Sequence, residues 1–354
     1  MKPAIRVIIW ILALSVIGTA VGFAPGAERT FRKEEITVKA GEFTVGGDLY
    51  FPAEGTRHPV AIWVHGSGPM TRALMMPLLQ PQIDVFLKAG FAFFIDDIPG
   101  SGASQGTLNN VYADRTQILV QEIETLRKHL FINPNGVGVA GMSQAGIVMP
   151  RAVKASGRVA FMIAESCVAQ SAAQQDAYLL EQTLICDKFP VEEARKAGRM
   201  ALQLRYADDY EAYREAAEYL NGIEIAKLLD MTGPVTPKEK WSPPDRTGRN
   251  MFFDPMPLVG EFKIPVLALF GANDKNINPA QGVDDYRKAL RTAGNPFYRV
   301  EMIPGANHLL FAAPTGCVRE LMEQVQAGKP AYSSGVLSTI SSWLDELKRV
   351  LPTG

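Results

Sequence analysis

The sequence predicts an α/β fold on a mostly parallel, doubly wound sheet, and three observations carry that expectation. Six short runs are dominated by apolar residues: Pro59 to Val64, Gly90 to Ile95, Val137 to Ala140, Val159 to Ala164, Pro265 to Phe270 and Tyr298 to Ile303. Apolar strands of this length are buried on both faces, the mark of a parallel sheet covered by helices. Between them lie amphipathic segments. Arg115 to Leu130 carries Ile118, Leu119, Ile123, Leu126 and Leu130 at helical spacing, and Gln281 to Arg291 and Leu337 to Leu351 do the same. Strand and helix alternating along the chain is the doubly wound pattern.

The elements follow in order. Glu35 to Val38 and Phe43 to Phe51 alternate apolar and polar residues, which predicts two antiparallel strands joined by a turn near Gly41. The six buried strands come next. One segment breaks the rhythm: from about Cys167 to Glu261 the chain is helical and charged, then irregular and rich in Pro and Gly. A helical cap inserted at 167–261 between two strands of a domain spanning 34–351 is the expected arrangement. Its Tyr206, Tyr210, Tyr213, Trp241, Phe252 and Phe253 either line a pocket or pack the cap, with packing the reading for most of them.

The chain of 354 residues is 47% apolar, enough to fill one large core. Thirty-six basic against 37 acidic residues leave a net charge of −1 with no basic stripe, which excludes an electrostatic case for nucleic acid. Lys2 and Arg6 precede an unbroken run of apolar and small residues from Val7 to Ala24. Residues 1–24 therefore read as a signal peptide, or as an N-terminal membrane anchor through residues 7–24, and the protein as exported to the periplasm or outside the cell. Three cysteines, Cys167, Cys186 and Cys317, have no metal-ligand spacing and read as small buried residues. Cys167 and Cys186 are the pair weighed for a disulfide in an exported protein.

The chemistry is carried by the stretch VGVAGMSQAG, in which a buried strand ends at Ser143 and a helix begins. A serine on a sharp strand-to-helix turn is pushed out of the sheet edge, and only small neighbours let the two backbones pass. The helix start also directs its N–H groups at developing negative charge. Ala145 stands where the pattern G-x-S-x-G has its second glycine, with Gly146 directly after it.

Ser143 requires a base, and there are four histidines. His58 lies in a polar turn, His129 ends a helix as a solvated cation, and His65 closes a strand as a structural anchor. His308 follows the last strand at its carboxyl end, where sites of open parallel sheets lie. It is the expected base. Asp274, just past the preceding strand, is the expected orienting carboxylate, ahead of Asp284 and Asp285 within a helix. The loop from His65 to Pro69 is glycine-rich, so the N–H of Ser67, with Gly68 next, pairs with that of Gln144 as an expected oxyanion hole. Asp97 to Ser104 matches no phosphate-loop pattern and reads as a tight loop with Asp97 bonding the backbone.

With these residues in place, the chain from about Glu34 to Leu351 resembles the α/β-hydrolase superfamily. The loop at His65 to Pro69, the Asp97 to Ser104 loop and the run from Asp254 through Asp274 look like its bacterial dienelactone-hydrolase-like and acyl-hydrolase members. Pro99 stands where many relatives carry arginine, and Met70 to Arg72 replace an acidic continuation. The resemblance implies a Ser143–His308–Asp274 triad, no cofactor and no metal. The expected activity is hydrolysis of small-molecule carboxylic esters through an acyl-enzyme, with thioester or peptide cleavage on the same triad as the alternative and a non-catalytic binding protein as a third reading.

Overall fold

Eight strands form one sheet in the order β1-β2-β4-β3-β5-β6-β7-β8 in the computed structural model, which describes residues 31–55, 57–246, 250–328 and 331–352. The signal or anchor segment read at residues 1–24 lies outside the described residues. Among the described residues no helix is long and apolar enough to cross a membrane.

β1 (Phe31–Ala40) and β2 (Phe43–Pro52) form the expected antiparallel pair, and β2 also runs antiparallel to β4 (Ala92–Asp96). From β4 onward all neighbours are parallel: β3 (His58–Val64), β5 (Ile132–Met142), β6 (Met162–Glu165), β7 (Val266–Gly271) and β8 (Tyr298–Ile303). Side chains alternate between two cores. Val60, Ile62 and Val64 of β3 face one side with Val137 and Val139 of β5, whereas Ala61 and Trp63 face the other with Ala140 and Met142. Successive residues of a strand point to opposite faces, so a strand apolar throughout fills both cores.

Each core has its own helices. α1 (Arg72–Lys88) and α11 (Val336–Lys348) cover the Trp63 face through Met75, Leu79, Ile83 and Phe86 and through Ile340, Trp343 and Leu344. α2 (Val111–Leu126), α3 (Ala145–Ser156) and α9 (Pro279–Thr292) cover the other. The helix expected at Arg115 to Leu130 starts earlier, because the Asn110 side chain accepts from the amide of Ala113, and it stops at Leu126. Leu130 lies beyond it and is 72% exposed. The strand expected from Gly90 starts at Ala92, since Gly90 adopts φ 84° in the turn that closes α1.

Between β6 and β7 the chain leaves the sheet for α4 (Ala172–Cys186), α5 (Val191–Tyr206), α6 (Tyr210–Asn221), α7 (Glu224–Leu228) and the short α8 (Met256–Val259). Ala177, Leu180, Leu184, Ala194, Ala197 and Leu220 give this insertion a small core of its own. Its aromatic residues mostly pack: Tyr210 and Tyr213 against Trp241, and Tyr206 against Phe252. Phe253 lies under the Arg151 guanidinium at 3.9 Å.

The disulfide considered between Cys167 and Cys186 is not formed. Cys186 bonds Cys317 instead, 131 residues away, and Cys167 is a free, buried thiol set against the carbonyl of Gly141. The reason is placement: Cys186 ends α4 and Cys317 is the cap residue of α10 (Val318–Gln326), whereas Cys167 follows β6 in the core. The bond ties the insertion to the segment that follows His308. Closing so long a loop restricts the unfolded chain, worth roughly 2–5 kcal/mol. Reductant is therefore expected to lower the melting midpoint of the wild type by several degrees and to leave that of Cys317→Ser unchanged, read by circular dichroism. An equal response in both proteins would contradict this role.

Candidate active site

β5 delivers Ser143 into a turn with φ 57°, a left-handed conformation that costs an L-residue roughly 1–2 kcal/mol. Its amide donates to the carbonyls of Glu165 and Ser166 at 3.2 Å each, and its carbonyl accepts from Gly146 and Val168 at 3.0 Å. The small residues earn their places here. A Cβ on Gly141 would lie 2.4 Å from the carbonyl oxygen of Val64, and one on Gly146 would lie 2.5 Å from that of Val168. Ala145 is fully buried, and the position that admits no side chain is the next one, Gly146.

His308 and Asp274 meet as expected. His308 Nδ1 lies 2.8 Å from Asp274 Oδ2, with the residues 6% and 1% exposed. Asp274 Oδ1 accepts from the amides of Asn276 at 2.7 Å and Ile277 at 2.9 Å, which fixes the carboxylate plane. Asn278, not Asp274, caps α9. Asp284 is exposed and Asp285 accepts from Gln281 within that helix, so neither competes for His308. With Nδ1 bound to the carboxylate, Nε2 is the nitrogen left to take a proton. His308, Met142 next to Ser143, and Glu165 line one cavity of about 20 Å³.

The loop after β3 lies against Ser143: a Cβ on Gly66 would sit 3.4 Å from the Cβ of Ser143. Among the described residues the amides of Ser67, Gly68 and Gln144 donate no hydrogen bond. Gln144 is the N-cap of α3, with φ −58° and ψ −20°. His65 anchors the loop as expected, its Nε2 2.8 Å from the carbonyl of Asp96.

Two other histidines differ from the reading above. His58 is buried as the first residue of β3, its Nδ1 3.2 Å from the carbonyl of Gly90, and burial lowers its pKa. His129 is not a free cation, for it meets Glu34 Oε2 at 2.9 Å and packs against Phe51 and Phe131.

Asp97 bonds the backbone as read, accepting from the amides of Arg72 at 2.7 Å and Ala103 at 2.8 Å. It also takes the Arg72 guanidinium at 3.0 Å, which Arg72 shares with Asp48. Burial pushes the Asp97 carboxyl up, but Arg72 and the two amides outweigh it and hold it below its usual value.

Three polar residues escaped the sequence reading. Arg115 is 7% exposed and donates to the carbonyls of Gly66 at 3.0 Å and His65 at 2.5 Å, and to Gln144 Oε1 at 2.7 Å. Glu122 is buried beside it, its carboxyl pushed well above the usual range by burial and by Asp96. Both sit on the apolar stripe of α2, and a charge seven residues from another on a buried face was the available signal. Glu165 ends β6 and accepts from Gln82, whose Oε1 accepts from Tyr332 at 3.3 Å. Burial, opposed by Arg205, pushes the Asp176 carboxyl up to about 6.

Burial pushes the Glu165 carboxyl up to about 8, with the Gln82 hydrogen bond opposing, against 4.5 for an ordinary glutamate. A raised folded value means that the folded chain holds a proton the unfolded chain has released. The contribution is full below the unfolded value and is lost as pH rises through about 8. Glu165→Gln is therefore expected to flatten the fall in unfolding free energy between pH 5 and 9 by roughly 3 kcal/mol. Urea unfolding at both pH values checks this, and parallel curves for wild type and variant would refute it.

A model of the X-Pro dipeptidyl-peptidase (S15) family matches residues 28–308. The chain belongs to the S15 peptidase family. No curated protein sequence matches this S15 member. An esterase from Pyrococcus furiosus superposes with a TM-score of 0.54 at 14% identity, over 91% of this chain and 92% of that one. A proline iminopeptidase from Mycobacterium smegmatis gives 0.53 at 15%, over 89% and 99%. At these identities the likeness is one of fold, and it agrees with the α/β-hydrolase sheet described above. Family and fold make the S15 member a hydrolase. Among the described residues no group of three or more His, Cys, Asp or Glu is placed to hold a metal ion.

Proposed function

We propose that this protein is a serine hydrolase that cleaves carboxylic esters through an acyl-enzyme on Ser143. The observation that carries the assignment is the buried His308–Asp274 pair at 2.8 Å, on the sheet edge where Ser143 stands at φ 57°. His308 Nε2 takes the Ser143 proton as Oγ attacks the carbonyl, and Asp274 stabilises the imidazolium. The N–H groups of Ser67 and Gln144, with Gly68 beside them, receive the oxyanion. His308 then protonates the leaving alcohol, and water, deprotonated by the same imidazole, releases the acid. This mechanism calls on no cofactor or metal.

A peptide substrate is the second reading, and the S15 match is what favours it. The two are separated by turnover of p-nitrophenyl acetate and butyrate against X-Pro p-nitroanilides. Ester turnover with kcat/KM at least tenfold above that of the anilides is the expected result; the reverse order makes the protein a peptidase, and inactivity on both panels removes the ester reading.

Export completes the proposal. The run from Val7 to Ala24 behind Lys2 and Arg6 has the layout of a signal or an anchor, and the Cys186–Cys317 disulfide suits an oxidising compartment.

A further inference from the structure

We propose that Arg115 is a positioning residue of the oxyanion hole, acting through the peptide units that donate to the oxyanion. This rests on the hydrolase reading of Ser143. The carbonyl of Gly66 and the N–H of Ser67 belong to one planar peptide unit, and no peptide bond among the described residues is cis. In a trans unit the two groups point in opposite directions. Arg115 Nη1, 3.0 Å from Gly66 O, therefore sets the direction in which the Ser67 N–H points. It also strengthens that donor, because a cationic hydrogen bond on a carbonyl polarises the whole amide. Arg115 Nη2 does the same for the His65–Gly66 unit at 2.5 Å.

The same Nη1 holds Gln144 Oε1 at 2.7 Å, so one guanidinium grips both segments that carry the donors. Those donors, Ser67 and Gln144, have no other use among the described residues. A buried cation is costly, and an apolar side chain would fill the stripe of α2 beside Ile118 and Leu119. Its hydrogen-bond acceptors lie on the two segments beside Ser143, while Asp96 supplies the opposing charge. The planar fork is essential to the geometry, since a lysine ammonium at this site keeps the charge and loses the paired donors.

The test uses Arg115→Lys, which keeps the charge that Asp96 faces, and Arg115→Met as the harsher variant. For each, kcat and KM are measured on the ester or anilide that the wild type turns over. Inhibition by a trifluoromethyl ketone, whose adduct places an oxyanion in the hole, is measured alongside. Arg115→Lys is expected to lose on the order of tenfold in kcat, less than the loss of a whole donor. KM should stay within about twofold, and the inhibition constant should rise in step with the fall in kcat. A merely structural role would move the melting midpoint and leave those ratios alone. Unchanged kcat and inhibition constant in Arg115→Lys would overturn the proposal, as would a change confined to KM; should Arg115→Met not fold, the lysine variant decides. Fluorophosphonate labelling of wild-type Ser143 keeps the two readings apart: without it the assignment of Ser143 as nucleophile fails, and with it only the role of Arg115 is at stake.

Discussion

Ser143→Ala is expected to lower kcat on the best substrate by about 10⁶-fold, the loss seen when a nucleophile and its base cease to act as a unit. The fold should survive, because alanine occupies the same φ 57° turn and Gly141 and Gly146 still admit the crossing backbones. Glycine at 143 would relieve the left-handed strain and raise stability by roughly 1 kcal/mol while being equally inactive. The pair separates chemistry from stability: activity vanishes in both, and the melting midpoint rises only in Ser143→Gly. Alanine retaining more than about a hundredth of wild-type kcat would mean that another group attacks the substrate.

Asp274→Asn is the second large effect, about 10⁴-fold in kcat. The asparagine carbonyl can still accept from the amides of Asn276 and Ile277, so the loop keeps its shape. Its NH2 then faces His308 Nδ1 where Oδ2 stood at 2.8 Å. An NH2 donor there favours the tautomer with the proton on Nε2, which cannot accept from Ser143. The loss should therefore appear in kcat with KM nearly unchanged. A drop below tenfold would show that Asp274 is only a loop anchor.

How much of this was legible follows from what each residue must satisfy. Strands β3 to β7 are buried on both faces, so their places along the chain could be read from their apolar runs. α1 could not, because Pro77 and Pro81 lie inside it and prolines signal against a helix. Its last turn nonetheless packs Phe86 into the core with Trp63. The pairing of His308 with Asp274 was legible because both follow strand ends, and chain order then selects among few candidates. The disulfide was not, since pairing among three cysteines depends on how α4 meets α10 in space. Arg115, Glu122 and Glu165 stayed hidden for a related reason: single polar residues in apolar stretches look like surface interruptions until the fold shows them buried. Once buried, a polar group needs a partner: Arg115 finds its partners at His65, Gly66 and Gln144, and Glu165 finds Gln82.

The most direct test of the nucleophile assignment is intact-mass and peptide mapping of the protein after reaction with a fluorophosphonate. A single adduct on the peptide carrying Ser143, absent from Ser143→Ala and slowed in Asp274→Asn, is the predicted result. An adduct on any other residue, or an unmodified protein at full occupancy of reagent, would contradict it.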